Sequence, residues 1–328
     1  MSEKAENKIK HTGVAIIGSG DEARRIAQGY IDSGIDITGV WCPDGGNGSA
    51  PADIKIFKSL EEPLTDPVTR AVEVCSAIQR RASDAIEAIK AGKAVSVRGP
   101  VAADVDQLNL LAAEIDRMGA AFRYLDPVRH HAPHALAKKL LDRGEIGIPN
   151  GIRVKVAAAD IGVFKSGSIE EPLDRLTLAQ WYLGPAAEIE TLRNERSNVS
   201  ILRFGEPHRF GNFEAVYAPD LDVPFSERPW DENIEITGTT GIIWINGFWG
   251  YIADKPPVIM RRFKRMVNFG ADLVVDPRAA YARAAYTFAK SVSEDKFPEP
   301  GIARAAADLK LLLAAASGAE NPGRVTIA

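Results

Sequence analysis

The sequence has few cysteines, no long apolar run and no excess of basic residues. Cys42 and Cys75 are the only two thiols in 328 residues and neither sits in a CxxC pair. That excludes a disulfide framework and a cysteine metal site, and leaves buried thiols as the expectation. No apolar run reaches the roughly 18 residues of a membrane span. The stretch from Met1 to His11 is polar and charged, unlike the apolar core of a signal peptide. Lys and Arg number 40 against 44 Asp and Glu, a formal charge of -4 spread along the chain. Nucleic acid and membrane surfaces are therefore not expected as partners, and a cytoplasmic protein is. Repeats and low-complexity linkers are also missing. What is present is a hydrophobic content of 45%, enough to bury a full core in two domains or one large one.

The most informative stretch is Val14-Ala15-Ile16-Ile17 running into Gly18-Ser19-Gly20, with Ala23, Ile26, Ala27, Tyr30 and Ile31 following at helical spacing up to Gly34. Strand, tight turn and helix are expected in that order. Gly18 permits the turn, Gly20 removes the side chain where a pyrophosphate approaches the backbone, and Ala23 lets helix and strand pack closely. Asp21 and Glu22 run against this reading. They suit the helix dipole but oppose an anion at the same N-terminus.

Further strands are expected at 37–41, 72–76, 94–97 and 121–125, with helices over 83–90 and from Val105 to Gly119. Strands alternating with helices imply parallel pairing and right-handed crossovers, so residues 11–126 read as a doubly wound, Rossmann-type dinucleotide domain. Beyond Pro127 the pattern changes. A helix through Leu136, Leu140 and Leu141 precedes strand-like runs at 154–160, 189–193, 199–204, 213–217, 234–238 and 242–246, and a last helix is expected at 302–316. Ile234-Glu235-Ile236-Thr237 and Ile242-Ile243-Trp244 alternate across a Gly-bounded turn, which is a hairpin signal. Residues 127–328 therefore read as an α/β substrate and oligomerisation domain with a large, mostly antiparallel sheet. One face of that sheet is expected to pack against a second copy, giving a homo-oligomer, a dimer or tetramer. Trp230, Trp244, Phe248, Trp249 and Tyr251 fit such an interface.

A dinucleotide fold followed by this hairpin sheet resembles the glucose-fructose oxidoreductase and inositol dehydrogenase family, Gfo/Idh/MocA, along nearly the whole chain. The stretches that carry the likeness include Ala85-Ile86-Glu87-Ala88-Ile89-Lys90-Ala91-Gly92-Lys93, Leu140-Leu141-Asp142-Arg143-Gly144-Glu145-Ile146-Gly147 and Trp181-Tyr182-Leu183-Gly184. The resemblance implies NAD or NADP as cofactor and a small hydroxy or carbonyl substrate, sugar-like or carboxylated. It also implies a Glu-Lys-Pro after the strand at 94–97 and an Asp-x3-His-x2-Asp signature before Trp181. This chain has Arg98-Gly99-Pro100 in the first place and Glu170, Asp174 and Thr177 in the second. A divergent member without the usual lysine and histidine is expected.

The proton then falls to other groups. Arg98 stays protonated and suits a carboxylate clamp better than acid–base work. Asp174 is the candidate base where the histidine is missing, and His130 or His131 offers a titrating alternative. Gly18, Ser19, Gly20, Ser76, Arg98 and Pro100 line the expected cofactor edge. Asp44 stands as a displaced ribose ligand, or as a turn residue, because Cys42 holds the usual acidic position. Arg80 and Arg81 bring positive charge to that edge, to offset Asp21 and Glu22 or to meet a 2'-phosphate. No metal site is expected: His130 and His134 have metal-pair spacing, but no third ligand accompanies them. A second reading stands beside the enzyme, a non-catalytic relative that binds a nucleotide or serves as a subunit in a complex with a paralogue.

Overall fold

Short runs of Val, Ile and Ala, buried on both faces, build the first sheet. A helix α1 (Glu3–Lys10) precedes β1 (Val14–Gly18), α2 (Gly20–Asp32), β2 (Ile37–Trp41), β3 (Ile56–Phe57), α3 (Glu61–Thr65) and β4 (Ala71–Cys75). Then follow α4 (Ile78–Lys90), β5 (Ala94–Arg98), α5 (Val105–Met118), β6 (Phe122–Leu125) and a single 3-10 turn at Pro127–His130. The computed structural model describes residues 3–43, 53–158, 175–205, 209–218, 230–246, 256–270, 273–320 and 323–327. Its six-stranded sheet is parallel throughout, in the order β3-β2-β1-β4-β5-β6. Strand order reverses between β1 and β4, which places the ligand crevice of such a sheet at their carboxyl ends. Helix α5 shows why these boundaries fall where they do. The Asp104 carboxylate accepts from the Gln107 amide at 2.8 Å at its start, and Gly119 closes it at φ 57°.

The second sheet is built from α6 (Ala132–Asp142), β7 (Pro149–Ala158), α7 (Leu176–Leu183), β8 (Ala186–Arg193), β9 (Ser197–Phe204), β10 (Arg209–Tyr217), β11 (Trp230–Gly238), β12 (Gly241–Asn246), β13 (Val258–Arg262) and β14 (Arg265–Phe269). The chain continues through α8 (Pro277–Ser293), α9 (Ile302–Glu320) and β15 (Arg324–Thr326). The nine strands run β14-β13-β12-β11-β7-β10-β9-β8-β15, and β10–β7 is the one parallel pair among them. The expected hairpin is β11–β12, with Glu235 opposite Trp244. The Trp244 indole Nε1 donates to the Glu235 carboxylate across the strands at 2.8 Å. Ile201 and Phe210, on β9 and β10, stand exposed. The side chain of Trp230 and residues 248, 249 and 251 lie outside the described residues.

By compactness the chain divides into residues 1–130 with 276–309, and 131–275 with 310–328. Helix α8 therefore completes the first unit. Its Tyr281, Ala284, Ala285, Phe288, Ala289 and Val292 join Ile9, Ile26, Ala27 and Tyr30 in one buried cluster. Under α8 lies a charged core. Glu73 of β4 is wholly buried and accepts from the Tyr30 hydroxyl at 2.7 Å and the Arg123 guanidinium at 3.0 Å. Arg123 also donates to the Ser96 hydroxyl at 2.8 Å and the Ala284 carbonyl at 2.5 Å. Burial, then the neighbouring Glu73 charge, pushes the Tyr30 phenol well above its usual range.

Candidate functional site

Of the residues expected at the cofactor edge, Gly18, Ser76 and Arg98 stand at the carboxyl ends of β1, β4 and β5. Gly18 is registered against Cys75, one residue before Ser76. A Cβ built on Gly18 would lie 2.5 Å from the Cys75 Sγ and 2.8 Å from its carbonyl, so only glycine allows this approach. Gly20 opens α2 at φ 77°, and a Cβ there would meet nothing within 4 Å. The outer side of the turn is thus bare backbone at a helix N-terminus, as a pyrophosphate requires.

The acidic pair separates into two different environments. Asp21 is solvent-exposed and paired with Arg24 at 3.1 Å. Glu22 turns inward, where it accepts from Arg98 Nε at 2.7 Å and from the Tyr281 hydroxyl at 3.0 Å, with Arg25 at 3.5 Å. Its charge is met within the protein. The residues present therefore fit a dinucleotide: the anion-opposing carboxylate is neutralised and the glycine backbone is open.

That arrangement also changes what Arg98 does. Its guanidinium is buried between Glu22 and the Gly99 carbonyl. Beside it, the Tyr124 ring lies against Gly99, 2.1 Å from where a Cβ would begin. Burial, then Asp308 and Asp126, raises the Tyr124 phenol well above its usual range. No side chain fits at position 99 unless Tyr124 moves. Ser76 is buried too, and its hydroxyl donates to the Asp84 carboxylate at 2.7 Å. Pro100 is buried, and its carbonyl accepts from Arg81 at 2.9 Å; Arg81 Nε donates to the Ser76 carbonyl at 2.8 Å. Arg81 is a buried strut between the ends of β4 and β5. Asp44 and Asp174 fall outside the described residues.

The histidines part company at the boundary of the two units. His130 ends the first unit, and desolvation followed by the Arg123 charge holds its imidazole down to about 4. Next to it, Arg129 is buried against Asp126 at 3.0 Å, with a very short contact to Asp308. Because the unfolded state binds the His130 proton more readily, the stability that the neutral ring contributes is complete above about pH 6.5. It is lost as pH falls from there through about 4. With a discount for the ring's exposed edge, roughly 2 kcal/mol is expected to disappear over that window. Urea midpoints between pH 7 and 4 should fall less in His130→Asn than in the unsubstituted protein, and equal slopes would refute this.

His131 and His134 belong to the second unit. His131 Nε2 lies 2.8 Å from the Val275 carbonyl, and its ring is 5.6 Å from that of His134. His134 is fully buried, with Nδ1 2.9 Å from the Tyr182 hydroxyl and Nε2 3.1 Å from Glu232. Arg175 Nε donates to the other oxygen of Glu232 at 2.7 Å. Burial alone would raise the Glu232 carboxyl, but Arg175 and the His134 hydrogen bond bring it down to about 2. Periodicity gave no sign of this buried Arg–Glu–His–Tyr chain, because its members come from α6, α7, β11 and the residue before α7. No group of three His, Cys, Asp or Glu that could hold a metal occurs among the described residues. None of their helices is long and apolar enough to cross a membrane.

Comparison with known proteins agrees with this geometry. Residues 12–125 match the model of the Gfo/Idh/MocA oxidoreductase family, NAD-binding Rossmann fold. An oxidoreductase from Agrobacterium radiobacter, solved with NAD+, L-tartaric acid and magnesium, is 16% identical with a TM-score of 0.82, over 97% of this chain and 98% of that one. Levoglucosan dehydrogenase, solved with NADH and levoglucosan, is 17% identical with a TM-score of 0.78, over 96% and 99%. An oxidoreductase domain protein from Kribbella flavida is 18% identical with a TM-score of 0.78, over 97% and 100%. No curated protein sequence matches the chain. Residues 12–125, with the glycine turn at the switch point, thus match the NAD-binding Rossmann model of the Gfo/Idh/MocA oxidoreductase family, and the chain shares its fold with solved oxidoreductases.

Proposed function

We propose that the protein is a divergent NAD(P)-dependent oxidoreductase acting on a small hydroxy or carbonyl compound, sugar-like or carboxylated. The observation that carries this reading is the turn at Gly18–Gly20, where Arg98 and Tyr281 neutralise Glu22 and leave the N-terminus of α2 open to a phosphate. Structural neighbours solved with a dinucleotide and a small hydroxylated compound support the substrate class. A nicotinamide dinucleotide, when bound, supplies the hydride chemistry. The protein's own residues then position and move a proton. Gly18, Ser19 and Gly20 would cradle the pyrophosphate by their backbone, and Arg98 holds Glu22 away from it. His130, His131 and Asp174 are the candidates for moving the proton, with His130 the weaker base because its imidazole is held down to about 4.

One observation favours a second reading. Among the described residues the end of β5 offers no acid or base, since Arg98 is engaged by Glu22 and Tyr124 closes over Gly99. A nucleotide-binding protein without turnover would look the same at this position.

Titration with NADH and NADPH, followed by assays on a panel of sugars and hydroxy acids, separates the two. Saturable binding with turnover supports the enzyme, and His130→Ala or Asp174→Ala then lowers kcat by about 100- to 10,000-fold if that residue moves the proton. Binding with no turnover across the panel favours the non-catalytic reading. Absence of saturable binding near millimolar cofactor would sink both.

A further inference from the structure

At the end of β2, a dinucleotide-binding sheet meets the adenosine ribose. A carboxylate there favours the free 2'-hydroxyl, while an arginine there accommodates a 2'-phosphate. In this protein β2 ends at Trp41, followed by the buried thiol of Cys42 and then Pro43, so the described residues supply no carboxylate at that point. Among the described residues, the charge that reaches this edge is positive. Arg80, in the first turn of α4, carries its guanidinium 5.4 Å from the centroid of the Trp41 ring, and 48% of its side chain is exposed.

The surroundings of Arg80 fix it without consuming it. Asp84, one turn along, accepts from one guanidinium nitrogen at 3.3 Å, and its other oxygen accepts from Ser76 at 2.7 Å. A guanidinium has five N–H donors, so most of its bonding capacity points elsewhere. Arg81 ties the same turn to the carbonyls of Ser76 and Pro100, which holds α4 against the ends of β4 and β5. The first turn of α4 has no acidic residue, so its dipole also favours an anion. A planar cation lying over an indole face, at a helix N-terminus and partly shielded from water, matches a doubly charged phosphate beside a flat base.

We propose that Arg80, seated over Trp41, binds the 2'-phosphate of the cofactor and makes the protein selective for NADPH over NADH. The inference rests on the dinucleotide reading above.

Titration of the full chain by quenching or enhancement of nicotinamide fluorescence tests it. NADPH should bind about 10- to 100-fold more tightly than NADH, the range of one or two charge-assisted hydrogen bonds. Arg80→Ala should remove that advantage while leaving NADH affinity within about two-fold, so NADH serves as the folding control. Arg80→Lys, which keeps the charge and loses the planar fork, should fall between. Adenosine 2',5'-bisphosphate should displace NADPH from the unsubstituted protein and much more weakly from Arg80→Ala. Equal affinity for the two cofactors, or an equal loss of both in Arg80→Ala, overturns the assignment and leaves the dinucleotide site standing. Binding of neither cofactor removes the site reading itself and this inference with it.

Discussion

Glu232→Ala is expected to lower the unfolding free energy of the protein by about 3 to 5 kcal/mol, the usual consequence of removing one partner from a buried ion pair. Glu232 is almost entirely buried, as are Arg175 at 2.7 Å and His134 at 3.1 Å. Without the carboxylate, the Arg175 guanidinium loses the acceptor 2.7 Å away and keeps its charge in a buried site. Glu232→Gln keeps the volume and one acceptor and should cost less. The double variant Glu232→Met with Arg175→Leu removes both charges and should recover much of the loss. A denaturant midpoint measured on all three gives the answer; a loss below about 1 kcal/mol in Glu232→Ala would show that the pair is not the buried unit described. The acid limb follows with its own sign. Because the folded carboxyl sits near 2 against about 4.5 in the unfolded chain, its contribution is complete above about pH 4.5 and disappears as pH falls through 2.

Arg98→Ala should weaken dinucleotide binding by roughly 100-fold. Removing the guanidinium leaves Glu22, at the first turn of α2, with Tyr281 and the more distant Arg25 as its side-chain partners among the described residues. A like charge about 5 Å from a phosphate costs about 3 kcal/mol at an effective dielectric of about 20. The second substitution discriminates: Glu22→Gln in the Arg98→Ala background should restore most of the affinity, because the offending charge is gone. If Arg98 instead grips the substrate, Arg98→Ala raises KM for substrate, leaves cofactor affinity intact, and gains nothing from Glu22→Gln. Isothermal titration of the three proteins with cofactor decides between them.

How much of this is legible in the sequence depends on the distance over which each feature is encoded. The glycine turn, the alternating strands and helices of residues 14–125 and the β11–β12 hairpin are local patterns, and the structure shows them with ends moved by a few residues. Helix α4 begins at Ile78, several residues earlier than the apolar spacing suggests, because Arg81 is buried and bonds to the backbone where a surface residue would be assumed. Helix α8 is hard to read since much of its buried face is alanine, which carries little hydrophobic contrast. Strands β13 and β14 are masked by Arg261, Arg262, Lys264 and Arg265. At the site, Gly18 and Gly20 announce themselves, whereas the pairing of Glu22 with Arg98 spans 76 residues and that of Arg129 with Asp308 spans 179. Nothing local encodes either, so an isolated reading of Arg98 assigns it to a ligand.

The return of α8 to the first unit also has a consequence for synthesis. The cluster around Ile26, Ala27 and Tyr30 lacks Tyr281, Ala284 and Phe288 until residues 276–293 leave the ribosome. About 150 residues separate the end of β6 from that point, roughly 8 to 30 s of translation at about 5 to 20 residues per second. For that interval the nascent sheet is present with one apolar helix face uncovered and Arg123 without its Ala284 acceptor. The N-terminal half is thus made first and finished late, and its growing chain is a natural client for a chaperone that shelters exposed apolar surface.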